Sequence, residues 1–238
     1  MDISAYYSYQ AKARGLHSLA DVMGIVEQNT VLYDKVVLPW LPKEPDAAIY
    51  EVACGPGIFL HWLKGHGYTN AVGSDSSDVQ IMLAKAGGLA VKLADSIADL
   101  RSYQSGSFDC LVGLDFYEHL PKETFLDFLQ EAHRVLRSGG RLILRGPNGD
   151  SPVLGRALYN DITHYWALTT TAFNALMMMS GFIRTEFKDD RLACIQKQRW
   201  LRVPLAWMAQ QVFRTLIRLA TQENIKCLSS SLFICAWK

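Results

Sequence analysis

The chain has 238 residues, half of them hydrophobic and a fifth charged, with 24 basic against 23 acidic side chains. Such a length and composition suit one globular domain with a real core, not a disordered chain. A net charge of +1 excludes a global field that would recruit nucleic acid or an acidic partner.

Residues 1–45 are polar-aromatic with helical spacing and end at the punctuated W-L-P-K-E-P, which reads as a helical extension leading into a core. From residue 47 short apolar runs alternate with helical patterns. Buried strands are expected at 48–53, 71–74, 89–93, 108–114 and 140–144. Helices are expected at 59–65, 79–86 and 122–137, with a short turn near 97–103; Ser138-Gly139-Gly140 is the expected stop of the last helix. Strand–helix alternation of this kind predicts a doubly wound, mostly parallel α/β sheet with right-handed crossovers. After Pro147 the spacing predicts a loop to residue 163, a helix over 170–180 ending at Gly181, and two final strands at 182–189 and 231–237. The whole is read as one domain: extension 1–45, core 47–190, a helical insertion 191–229, and the last strand in 230–238.

The five cysteines (Cys54, Cys110, Cys194, Cys227, Cys235) lack the close pairing of a zinc site and read as reduced, buried thiols. The start M-D-I-S-A-Y-Y shows no basic stretch leading into an apolar run, and no apolar run is long enough to span a bilayer. A cytoplasmic location is therefore expected.

The first strand runs into E-V-A-C-G-P-G, where a Gly-rich turn lets backbone approach a ligand and aims helix N–H groups at it. The second strand ends at Asp75, an acid placed to accept ribose hydroxyls or, alternatively, to cap the next helix, a role open to Ser76 and Ser77 as well. Asp95 and Ser96 follow the third strand, and the fourth runs into L-D-F-Y-E-H-L.

Taken in order, E-V-A-C-G-P-G, G-S-D-S-S, L-A-D-S, F-D-C-L-V-G-L-D-F-Y-E-H-L and H-R-V-L-R-S-G-G-R-L-I-L-R-G-P-N resemble the signature of class I S-adenosylmethionine-dependent methyltransferases. The resemblance covers roughly residues 47–190 and implies a Rossmann-like seven-stranded sheet with one antiparallel strand near its end. It implies S-adenosylmethionine as cofactor. Glu51 to Gly57, with Ala53, Cys54 and Gly55, would cradle the methionine part; Asp75 and Ser76 would serve the ribose, Asp95 and Ser96 the adenine, and Leu114 and Asp115 the methionine end. One departure is Ala53, where the family usually has a first glycine. A dehydrogenase would share the Gly turn and Asp75 but has no use for the later motifs.

Methyl transfer from a sulfonium needs alignment and exclusion of water, and a hydroxyl acceptor also needs a base. His119 in Y-E-H-L is one candidate, or else it caps the following helix. His164 in N-D-I-T-H-Y-W is the favoured one, with Asp161 expected to orient it, unless it caps the helix near Thr169. Tyr159, Asn160, Tyr165 and Trp166 complete a set suited to gripping a hydroxylated ring. Asp115, Glu118, Asp161 and His164 offer ligands for Mg²⁺, though nothing in their spacing requires a metal.

Residues 147–169 resemble bacterial methyltransferases associated with polysaccharide and cell-surface glycan synthesis, which implies a sugar hydroxyl as acceptor. A quinone or small-aromatic acceptor, or an inactive cofactor-binding assembly protein, are the alternatives. Within the insertion, residues 199–221 form a cationic amphipathic pattern bearing Trp200 and Trp207. That pattern suits either peripheral contact with an anionic membrane or packing on the domain or a second subunit. The N-terminal helices are read as a lid, with Tyr6, Tyr7, Arg14 and His17 near the ligand.

Overall fold

A computed structural model of the chain describes residues 6, 9, 15–189, 202–222, 225 and 227–238. Seven strands form one sheet: β1 (Ile49–Val52), β2 (Ala71–Asp75), β3 (Ala90–Leu93), β4 (Phe108–Leu114), β5 (Leu136–Pro147), β6 (Arg184–Asp189) and β7 (Ser231–Trp237). Their order is β3-β2-β1-β4-β5-β7-β6, with β7 antiparallel to both neighbours and every other pairing parallel. The expected α/β architecture is therefore present, antiparallel strand included.

Side chains alternate between two cores because both faces of a wound sheet are covered. Ile49, Cys110, Val112, Ile143 and Phe233 point to one face, where α1 (Leu19–Val36), α2 (Ile58–Gly65) and α3 (Asp78–Ala86) pack. Tyr50, Leu111, Leu142 and Ile234 point to the other, against α4 (Ser96–Arg101), α5 (Lys122–Val135) and α7 (Thr170–Met179). Among the described residues two further helices lie outside these layers: the five-residue α6 (Leu154–Leu158) and α8 (Arg202–Thr221). Helix α5 shows the pattern that drives this packing, with Phe125, Phe128, Leu129, Ala132 and Val135 buried along one stripe. The N-terminal extension is fixed at Ser18, which forms a reciprocal capping box with Asp21 at the start of α1. Tyr33 of α1 then packs edge-on against Phe59 and Trp62 of α2.

Several boundaries differ from expectation. Helix α5 ends at Val135, not at residue 137, because Leu136 turns extended and pairs with Phe108. The Ser138-Gly139-Gly140 run is an irregularity inside β5, and the last carbonyls of α5 are met by Lys238, whose ammonium donates to His133 and Leu136. The loop after Pro147 contains α6, which buries no residue and so left no periodic signal. Strand β6 begins at Arg184, Phe182 instead filling the core. Four of the cysteines are free and buried; Cys194 lies outside the described residues, as do Tyr7, Arg14, Arg199 and Trp200.

Candidate active site

The C-terminal ends of β1, β2 and β4 open on a cavity of about 770 Å³, the place where a wound sheet holds its ligands. Every expected cofactor residue except Gly57 lines it: Glu51, Ala53, Cys54, Gly55, Asp75, Ser76, Asp95, Ser96, Leu114 and Asp115. Gly57 acts one step back. It takes φ +81° as the residue that starts α2, and a Cβ there would strike Leu89.

At this end the loops are tied to one another through backbone N–H groups. Asp75 accepts from Gly55 N at 2.9 Å and from Ser77 N at 2.8 Å, so one carboxylate clamps the β1 turn to the β2 turn. It does not cap α3; Ser77 does. Burial pushes the Asp75 carboxyl up, against the pull of the N–H donors of Ser77, Gly55 and Ser76. Ser96 Oγ accepts from Ala53 N at 2.9 Å and lies 2.9 Å from Ser74 Oγ, a clamp between the third and first loops. Asp95 caps α4 by accepting from Ala98 N at 2.8 Å, with the residue itself still at the cavity wall.

Two residues here hold φ in the left-handed region without being glycine: Ala53 at +48° and Asp115 at +53°. Such strain persists only where surroundings over-determine it, and it gathers at functional sites. Asp115 is held by Arg145, which donates to its Oδ2 at 2.6 Å. Glu51 is buried, and its Oε2 has no hydrogen-bond partner among the described residues. Desolvation first, and the charge of Asp75 second, raise its carboxyl well above the usual range. An orphaned carboxyl oxygen beside a polar cradle fits a ligand with hydrogen-bond donors, as the amino acid end of S-adenosylmethionine has.

The far end of the cavity is lined by Glu118, His119, Asn160, Asp161 and His164. Glu118 is buried, its Oε2 without a hydrogen-bond partner among the described residues and its carboxyl raised well above the usual range by burial and then by Asp115. The two imidazoles meet with ring centroids 4.6 Å apart, although forty-five positions separate them in sequence.

Asp161 does not orient His164 as expected. Its Oδ1 accepts from Thr163 N at 2.9 Å, from Thr163 Oγ1 at 2.7 Å and from Tyr6 OH at 2.9 Å. Thr163 Oγ1 lies 2.8 Å from His119 Nδ1. Since the hydroxyl proton goes to the carboxylate, the hydroxyl must accept from His119 Nδ1–H, which leaves the lone pair on Nε2. His164 Nδ1 faces the Leu158 carbonyl at 3.0 Å, and because a carbonyl only accepts, its lone pair is also on Nε2. Neither histidine caps a helix: α5 follows Pro121 without a side-chain cap, and Thr169 caps α7.

Four residues offered ligands for Mg²⁺ without requiring a metal. Asp115 is engaged by Arg145 and Asp161 by Thr163 and Tyr6, whereas the ligand atoms of Glu118, His119 and His164 all lie within 4.8 Å of one another. Of the expected ring-gripping residues, Tyr159 and Tyr165 are exposed and Trp166 belongs to the core, donating to the Leu120 carbonyl and stacking edge-on with Tyr117 and Phe125. Tyr6 reaches the site through its bond to Asp161; His17 is exposed, and its backbone N–H donates to Asp21. Thr163, Arg145 and Arg156 are site residues that sequence reasoning missed. A Thr one position before a candidate base was the available signal for the first.

With this geometry in view, residues 50–144 match the family model described as a methyltransferase domain. Among curated proteins, the tRNA U34 carboxymethyltransferase of Pseudoalteromonas translucida is 24% identical over 188 residues, 74% of this chain and 55% of that protein. The ubiquinone biosynthesis O-methyltransferase of Xanthomonas oryzae pv. oryzae is 27% identical over 103 residues, 41% of this chain and 42% of that protein. The chain thus spans about half the length of the curated relatives it matches. Among solved structures, a SAM-dependent methyltransferase from Archaeoglobus fulgidus superposes with a TM-score of 0.72 at 18% identity, covering 98% of this chain and 100% of the other. A phosphoethanolamine N-methyltransferase from Haemonchus contortus, in complex with S-adenosyl-L-methionine, gives 0.59 at 14% identity, over 89% of this chain and 52% of the other. Residues 50–144 match a methyltransferase domain, and the chain has the fold of these SAM-dependent methyltransferase structures.

Proposed function

We propose that the chain binds S-adenosylmethionine at the β1–β3 end of the cavity and methylates a hydroxyl of a small polyhydroxylated acceptor, a sugar or glycan precursor, at the other end. One observation carries this reading: the paired imidazoles of His119 and His164, both with Nδ1 tied as a donor, stand across one cavity from the Gly55–Asp75 cradle. An oxygen acceptor needs a base, and this is the arrangement that supplies one.

When bound, the cofactor would supply a methyl group activated by its sulfonium, with the neutral thioether as leaving group. The chain's own residues do the rest. Asp75 and the backbone of the Gly55 turn hold the ribose side, and Glu51 meets the amino acid end. His119 Nε2 takes the acceptor's hydroxyl proton as the new O–C bond forms. The imidazolium so created is stabilised through Nδ1–H, Thr163 Oγ1 and the Asp161 carboxylate. His164 Nε2 accepts a second hydrogen bond from the acceptor and fixes its orientation. Arg156, exposed at the cavity wall and in no ion pair among the described residues, suits an acceptor that carries phosphate, such as a nucleotide-linked or lipid-linked sugar.

Calorimetry with S-adenosylmethionine and its demethylated product, followed by a methyl-uptake screen of nucleotide sugars and glycan precursors, tests the reading. Binding of both with uptake by a sugar is the expected result. Absence of binding to either removes the enzyme and leaves an assembly role. Uptake confined to catechols or quinols would instead support the small-aromatic reading, which the likeness to a ubiquinone biosynthesis O-methyltransferase favours.

A further inference from the structure

Helix α8 presents its apolar side to water. Leu205, Met208, Val212, Leu216 and Leu219 follow one another at steps of three and four, with Phe213 beside them, which places all six on one half of the helix. Their exposures run from 47% for Phe213 to 77% for Leu219. The opposite half carries Gln210, Gln211, Arg214 and Arg218, together with Trp207. Twenty residues make a helix about 30 Å long, so the apolar strip is larger than the scattered hydrophobics a monomer normally leaves in water.

Charge decides what covers the strip. Between residues 191 and 221 the sequence holds six basic side chains (Arg191, Lys197, Arg199, Arg202, Arg214 and Arg218) and not one Asp or Glu. The rest of the chain, with 18 basic and 23 acidic residues, is net negative. Symmetric pairing with a second copy would set one acid-free cationic helix against another, which like-charge repulsion opposes. No helix among the described residues is long and apolar enough to cross a membrane. An apolar half and an acid-free cationic half on one helix fit the plane of an anionic bilayer, with hydrophobic side chains among the acyl chains and arginines at the headgroups.

We propose that α8 docks this protein flat on an anionic membrane surface, with Leu205, Met208, Val212, Phe213, Leu216 and Leu219 inserted. The insertion leaves the sheet after Asp189 and returns at Ser231, and Ser230 and Ser231 line the cavity described above. The proposal does not depend on the methyltransferase reading.

The test is flotation of the full chain with vesicles of phosphatidylcholine alone and of equal parts phosphatidylcholine and phosphatidylglycerol. Wild type is expected to partition onto the anionic vesicles about tenfold or more above the neutral ones, with the difference fading as salt is raised. Val212→Asp/Leu216→Asp should lose that partitioning about tenfold while melting at the wild-type temperature, since both side chains are already in water. Arg214→Gln/Arg218→Gln should keep the hydrophobic contribution and lose most of the salt dependence. Equal partitioning onto neutral and anionic vesicles would overturn the proposal, as would wild-type partitioning of the Asp variant. Light scattering that shows a dimer dissolved by that same variant would assign the strip to a second copy instead.

Discussion

The two ends of the cavity solve the problem of buried polar groups in different ways. At the β1–β2 end, side chains act on backbone: Asp75 gathers the N–H groups of Gly55 and Ser77, and Ser96 takes that of Ala53. At the other end side chains act on side chains, in the run Tyr6–Asp161–Thr163–His119, with His164 against its neighbour ring. Backbone clamps preform a shape that any ligand of that shape shares. A side-chain relay fixes tautomers and places a lone pair, which is what proton transfer requires. On the proposed reading, the first end binds and the second carries the chemistry.

Substitutions at the two ends should therefore separate in kinetics. The largest effect is expected for His119→Ala, with kcat reduced about 10²- to 10³-fold and cofactor affinity by calorimetry unchanged. Thr163→Val should cost roughly tenfold in kcat, and Thr163→Ser should restore it, because a serine hydroxyl can relay the same bonds. A His164→Ala variant with the larger kcat loss would reverse the roles of the two rings.

Asp75→Ala should behave in the opposite way, weakening S-adenosylmethionine binding about 100-fold, or ~2.7 kcal/mol, as the β1 and β2 turns lose their common clamp. Retained affinity would remove the carboxylate from the ribose site.

A smaller effect concerns stability and pH. Burial raises the Glu118 carboxyl above its ordinary value of 4.5, so the folded state favours the protonated form. Below pH 4.5 both folded and unfolded chains are protonated and the residue is neutral in stability. As pH rises the unfolded chain ionises first, and folding loses stability until the folded-state value is passed. Glu118→Gln should escape that loss, melting a few degrees above wild type near pH 7 and level with it below pH 4.5. Parallel melting curves across the range would show that the carboxyl is not held protonated. Smallest of all, Ala53→Gly should gain about 0.5 kcal/mol in a urea titration, relief of the left-handed conformation being partly offset by backbone entropy.

The fold was largely legible in the sequence. Strands at 108–114 and 231–237 coincide with β4 and β7, because buried strands must be apolar on both faces and end abruptly at turns. The end of α5 was not legible, since Leu136 has the apolar character of the helix it follows and only its pairing with Phe108 makes it strand. Helix α6 was missed because it buries nothing.

What the amino-acid order determined by itself is the sequence of strand tips, and with it the cradle of Glu51, Gly55, Asp75 and Asp95, since each sits within a few residues of a strand that local pattern defines. What only the tertiary structure decided is the meeting of His119 with His164 and the service of Asp161 to the first and not the second. Contacts across forty-five residues depend on how a loop without apolar periodicity lies on the sheet. Nothing in local spacing encodes that path; packing of Trp166 against Tyr117 and Phe125 does.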